Sequence, residues 1–162
     1  MENKVEVDMA QEQQEGERRS GTPGAFSRWM QQRMNARVNR KVRRGRKRFM
    51  GMDVLILNTV GSRSGRHRET PVAWFADGED ARLIVASGGG SRHPDWYVNL
   101  MAHPDQAAIE LPGQDAVPVT PQRLEGADRE QAWRRIAAAQ PRIAKYQSKS
   151  DRRYPVIRLV PR

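Results

Sequence analysis

The stretch Thr59-Val60-Gly61-Ser62-Arg63-Ser64-Gly65-Arg66-His67-Arg68-Glu69-Thr70-Pro71 constrains this chain more than any other. It lies between two apolar runs, residues 54–57 and 72–75, whose branched and aromatic side chains suit strands. The two glycines permit a tight turn and let main-chain amides face a ligand. Three arginines and two serines surround that backbone. Such a turn suits an anion, and a phosphate matches the guanidinium fork. An ordinary basic hairpin turn has the same composition. The Gly-Lys-Ser/Thr ending of a nucleotide-binding P-loop is missing.

The remaining pattern is one of short strands and turns. Residues 54–60 read as a buried strand. Residues 70–76 and 82–87 form a hairpin about Asp77-Gly78-Glu79-Asp80. Gly88-Gly89-Gly90 then breaks the strand. His93-Pro94-Asp95 opens a short helix with Trp96, Tyr97, Leu100 and Met101 at helical spacing, and His103-Pro104-Asp105 stops it. Residues 107–111 and 116–120 make a second hairpin about Pro112-Gly113. Asp128 is predicted to cap a helix, with Gln131 completing a capping box and Trp133, Ile136 and Ala137 facing inward. Residues 154–160 read as the last strand. The predicted class is α+β, with an antiparallel sheet closed into a small barrel.

Charge is unevenly placed. Of the 29 Lys and Arg residues, 12 lie between Arg18 and Met52, where there is no Asp or Glu; the other 17 accompany all 19 carboxylates. One segment therefore makes the protein basic, and the net charge of +10 says little about the folded body. Residues 1–22 are polar, lack periodicity and are predicted to be a disordered tail. Thr22-Pro23 resembles a helix cap and first turn. Phe26, Met30, Met34, Val38 and Val42 then recur every fourth residue, with Trp29 beside them. Arg33, Arg37, Arg40, Lys41 and Arg44 take the other faces, and Gly45 ends the pattern. Residues 23–50 thus read as a basic amphipathic helix.

Three uses of residues 26–48 remain open. One is a docked helix with a solvated basic face. Another is a helix lying on anionic lipid, where each cation contributes roughly 1 kcal/mol. The third is nucleic-acid contact, which the scarcity of aromatic side chains there argues against. The expected location is the cytoplasm, with this helix peripheral on the inner membrane face. The polar, acidic start of the chain does not look like a signal peptide. The sequence contains no cysteine, which excludes disulfides and thiolate chemistry.

Intrinsic chemistry is sparse. His67, His93 and His103 lack metal-ligand spacing and read as turn or cap residues. There is no nucleophile elbow and no suggestive carboxylate pair. An enzyme of this composition leaves the hard chemistry to a bound cofactor. The glycines after Val85-Ala86-Ser87 would let a flat ring approach the main chain, or form a plain loop. Trp96, Tyr97 and Leu100 suit either a helix core or a pocket wall, and Asn99 is polar on the same helix.

The order of these features carries a resemblance. Leu57-Asn58-Thr59-Val60-Gly61-Ser62-Arg63-Ser64-Gly65, His93-Pro94-Asp95-Trp96-Tyr97-Val98-Asn99-Leu100, and Tyr146-Gln147-Ser148 followed by Asp151-Arg152 occur in sequence. Over about residues 25–162 the chain resembles the deazaflavin-dependent nitroreductase family, whose members use coenzyme F420 on a split β-barrel related to that of flavin-binding oxidoreductases. The resemblance implies a split-barrel domain over residues 51–162. It implies that Arg63, Ser64, Gly65, Arg66 and Arg68 hold the coenzyme's phosphate and acidic tail. Glu69, Thr70, Pro71 and Val72 would line the linker and ring. Val85, Ala86, Ser87 and Gly88 would meet the deazaflavin, and Trp96, Tyr97, Val98, Asn99 and Leu100 would close the pocket. Water, or a hydroxyl such as that of Tyr146 or Ser87, would supply a proton to the product.

The implied activity is hydride transfer to a quinone, nitro compound or conjugated carbonyl. Gln140 and Ile143 stand where family members noted for nitroreduction carry tyrosines, which favours a quinone or another conjugated carbonyl. Glu69 is expected to weaken the anion site slightly. The alternatives are a flavin mononucleotide reductase on the same barrel and a non-catalytic basic binding module. The resemblance leaves monomer and homodimer open.

Overall fold

The structure, a computed structural model, describes residues 25–88 and 91–162. The expected tail, the Thr22-Pro23 cap and Gly89-Gly90 lie outside them. The chain divides into two compact units between Gln32 and Arg33. Helix α1 (Ala25–Arg43) crosses that boundary.

The described part of the first unit is the N-terminal half of α1. Phe26, Trp29 and Met30 are exposed there, and the Phe26 and Trp29 rings stack with centroids 6.0 Å apart. Met34, at the start of the second unit, is exposed as well. The expected four-residue stripe is therefore covered only at its end, where Val38 is half-buried and Val42 is 2% exposed. A left-handed Gly45 (φ 99°) stops the helix, with Gly45 N–H donating to Val42 O and Arg46 N–H to Lys41 O, a Schellman closure.

The second unit is built on a curled antiparallel sheet, a half-barrel. Its strands are β1 (Arg48–Phe49), β2 (Met52–Val60), β3 (His67–Ala73), β4 (Phe75–Asp77), β5 (Ala81–Val85), β6 (Ala108–Glu110), β7 (Val117–Arg123) and β8 (Val156–Pro161). The order is β1-β2-β6-β7-β8-β5-β4, with β3 also paired to β2. Three further α-helices are present among the described residues: α2 (Asp95–Ala102), α3 (Gly126–Ala139) and α4 (Pro141–Ser148).

The six-residue buried stretch of β2, residues 54–59, follows from its position. Leu55 and Leu57 face the central core with Ile84, Leu100, Val119, Ile157 and Leu159. Val54 and Ile56, on the opposite face, pack against Val42 with Val38 and Phe49 alongside. Each face has its own cover, so the strand needs no polar alternation. Beyond the sheet's other half, Leu83 and Val156 pack against Ala132, Ile136 and Ile143 of α3 and α4.

Polar ties hold the outer layers. Asp77 of β4 accepts from Arg135 of α3 at 2.7 Å and also pairs with Arg158 of β8. Desolvation pushes the Asp77 carboxyl up, but hydrogen bonds from Arg158 and Arg135 outweigh it and hold the pKa below the usual value. Arg43 of α1 donates to Glu110 of β6 through Nε and Nη2, both at 2.9 Å, and through Nη2 to Glu69 of β3 at 2.7 Å. Buried Asn58 donates to Glu110 at 3.0 Å. The Arg43 bond, opposed by desolvation, keeps the Glu110 pKa low. The C-terminal half of α1 is thus pinned to the sheet by charge as well as by Val42.

Four local expectations change. The expected strand 70–76 divides at Trp74, whose N–H donates to Asp53 O before Phe75 pairs with Leu83 of β5. The chain changes partners there, which turns a corner of the half-barrel. Asp128 does not cap α3, because the helix starts at Gly126 behind an extended Glu125 that makes no side-chain cap bond. Leu124 N–H donates to Val156 O, so the chain must turn directly after it. The final strand begins at Val156 rather than residue 154. Helix α4 was not anticipated, although Pro141 opens its first turn and Ile143 is buried.

Candidate active site

The basic turn closes exactly where β2 and β3 end, so its geometry is set by the hairpin. Gly61 N–H donates to Arg66 O at 2.8 Å and Gly65 N–H to Gly61 O at 3.0 Å. Gly65 has φ 65°, and a Cβ on Gly61 would collide with Ser64 Oγ. Ser64 Oγ accepts from Arg66 N–H at 3.2 Å. Arg63, Arg66 and Arg68 are exposed, and among the described residues none has a carboxylate partner. Glu69, expected from sequence to weaken the anion site slightly, shares Arg43 with Glu110. Its carboxylate is held by Arg43 and lies 3.5 Å from His67 Nε2. The turn keeps its positive charge, which fits an anionic ligand.

Asn99 fixes this turn to α2: its Oδ1 accepts from Ser62 N–H at 2.9 Å. Just before this helix, the His93 ring lies 4.7 Å from that of Tyr97, and Arg152 links His93 to Ala86 O beyond β5. Trp96 is half-buried and meets Tyr97 edge-on at 6.3 Å, while Val98 is exposed. Tyr97 and Leu100 are core residues, as are Val72 and Ala86. Thr70 and Pro71 lie half-buried on β3, opposite Leu57 and Ile56. β3 pairs only with β2, so Pro71 occupies an edge strand, where its missing N–H is tolerated.

Beyond β5 lies a cleft of about 600 Å³ lined by Ser87, Gly88, Ser91, Tyr146, Lys149, Ser150, Asp151, Arg152 and Tyr154. Ser87 and Tyr146, named from sequence as proton donors, thus share one cavity wall. Gly88 has open space around its Cα, with Pro94 no closer than 4.0 Å to an added Cβ. Gln147 ties α4 to the segment that lines the cleft: Nε2 donates to Arg152 O at 2.9 Å, and Oε1 accepts from Tyr154 N–H at 2.7 Å. Ile143 packs into the core beneath α3, and Gln140 sits at the α3–α4 junction, so neither lines this cleft.

Residues 27–161 match the F420H(2)-dependent quinone reductase family. This chain belongs to the F420H(2)-dependent quinone reductase family. A Mycobacterium tuberculosis protein named as an F420H(2)-dependent quinone reductase is 32% identical over 148 residues, covering 85% of this chain and 99% of its own. A solved structure described as an F420-H2 dependent reductase (FDR-A) superposes with TM-score 0.56 at 31% identity, covering 65% of this chain and 92% of its own. Another, described as a domain-swapped dimer, gives TM-score 0.58 at 28% identity over 83% of this chain and 99% of its own.

Members of the family are F420H2-dependent oxidoreductases on a split-barrel fold, and the family's cofactor is coenzyme F420. The residues present fit that group. A phosphate and acidic tail suit the uncompensated arginines of the turn, and the open Gly88 edge leaves room for a ring. Among the described residues no cluster of His, Cys, Asp and Glu could hold a metal ion. Sequence reasoning gave no role to Arg43, Gln147 or Arg152. The last two lay inside the quoted motif, but their partners could not be read from it.

Proposed function

We propose that this protein reduces a quinone with a hydride supplied by bound F420H2. The carrying observation is the pair of features: an anion turn with Arg63, Arg66 and Arg68 exposed, fixed to α2 by Asn99, and a cleft lined by both Ser87 and Tyr146. The reduced coenzyme supplies the hydride. The protein's work is to hold the tail, seat the ring on Val85, Ala86, Ser87 and Gly88, and present the acceptor at about 3–3.5 Å. A quinone that takes a hydride needs one proton to become the hydroquinone, and the hydroxyl of Tyr146, a cleft-lining residue, would deliver it.

Titration of the protein with oxidised F420, followed by ring fluorescence, tests the reading. Saturable binding at micromolar concentrations is expected, with flavin mononucleotide binding more weakly. No saturation with F420, or tighter binding of flavin mononucleotide, would reject it.

The N-terminal half of α1 is proposed to rest on anionic lipid, where quinones partition. Exposed Phe26, Trp29 and Met30 beside Arg28 and Arg33 support this reading. Among the described residues no helix is long and apolar enough to cross a membrane. Co-sedimentation with phosphatidylglycerol vesicles is expected for the full chain and lost in a Phe26→Ser, Trp29→Ser, Met30→Ser variant. Equal sedimentation of the two would remove this role. A homodimer is proposed from the relative described as domain-swapped.

A further inference from the structure

Arg152 stands where β5 ends and the cleft begins. Its Nη1 donates to Ala86 O at 2.9 Å and meets His93 Nδ1 at 3.0 Å. Its Nη2 donates to Gly88 O at 3.0 Å, with Ser87 O at 3.5 Å. The guanidinium carbon lies 4.9 Å from the Tyr154 ring centroid, and Nε is shielded from solvent. Gln147 fixes the backbone that leaves this residue through Arg152 O and Tyr154 N–H. One planar fork therefore collects acceptors from two segments more than fifty residues away along the chain.

We propose that Arg152 is the positioning residue for the ring end of the coenzyme site, holding the main chain of residues 86–88 in the form on which the ring rests. The proposal rests on the F420 reading above. Only a guanidinium supplies donors in two directions within one plane while stacking on an aromatic face. A lysine ammonium concentrates its donors at one point and reaches fewer of these acceptors. The contact also requires His93 to present an unprotonated Nδ1. Burial first, then the charges of Arg152 and Arg123, keep the His93 pKa below its ordinary value, in keeping with that form. The His93 ring packs at a tilt against that of Tyr97, so the same clamp holds the approach to α2.

The test uses full-length Arg152→Gln and Arg152→Lys variants. Amide hydrogen exchange without ligand reads the backbone directly. In Arg152→Gln, residues 86–88 and 91–93 are expected to exchange about tenfold faster or more, with β2 and β3 unchanged. Titrations with tailed F420 and with a tail-less deazaflavin are expected to lose affinity by the same factor, about tenfold. Arg152→Lys is expected to fall between this variant and wild type in both readouts, and it provides the comparison if the glutamine variant does not fold. Wild-type exchange at residues 86–88 in both variants overturns the proposal. A loss confined to the tailed coenzyme also overturns it, since Arg152 would then be an anion ligand. Wild-type protein that binds neither deazaflavin overturns the coenzyme reading instead, and the ligand-free exchange result still decides whether Arg152 holds the segment.

Discussion

Removal of the Arg63, Arg66 and Arg68 side chains together, as alanine substitutions, is expected to weaken binding of tailed F420 by about 100-fold and to leave a tail-less deazaflavin bound as before. All three residues are exposed, so each ion pair contributes no more than about 1 kcal/mol. Three such terms account for the factor. The side chains lie on an independently closed turn, with Gly61 and Gly65 bonded across it, so the substitutions should leave the fold intact. Raising the salt concentration should reduce wild-type affinity for the tailed coenzyme and leave the triple variant little changed. Fluorescence titration of both deazaflavins at two ionic strengths measures all of this. Equal losses for the two ligands would mean that the anion sits elsewhere.

Leu57→Ala is expected to lower stability by about 2–5 kcal/mol and the melting temperature by on the order of 10 °C. Leu57 is 0% exposed, and its strand is paired on both edges, opposite Thr70 of β3 and Ile109 of β6. Pairing on both sides restricts collapse of the sheet into the vacated space, so much of the cavity should persist. Its core neighbours Ile84 and Leu100 belong to the elements that carry the cleft edge and the Asn99 strut. Coenzyme affinity should therefore fall near the lowered transition temperature and recover on cooling. Thermal unfolding by circular dichroism checks the first part. A shift below about 2 °C would show that the core repacks around the gap.

The parts of this fold that depend on neighbouring residues were legible in the sequence. The β2–β3 hairpin, the turn at Gly78 and the turn at Gly113 each have local signals, and both glycines adopt positive φ. The family motifs located the turn and the cleft edge. Features set by distant residues were not legible. The Phe26-to-Val42 stripe has one period throughout, yet only its end is covered, because Arg43 meets Glu110 and Glu69 there. Nothing near Trp74 in sequence shows that Asp53 will capture its amide. The role of Arg152 depends on Ala86, Gly88 and His93, which are separated from it by at least 59 residues. Helix α4 was hidden by its eight-residue length and by the proline that opens it.

Helix α2 holds Ser62 through Asn99 and meets His93 through Tyr97, and His93 in turn meets Arg152 at the cleft. Under the proposed coenzyme reading, this chain of contacts would set the spacing between the anion turn and the cleft. A molecule whose negative group and aromatic head are spaced differently would then satisfy one end only, and discrimination among redox carriers would become a matter of ligand length.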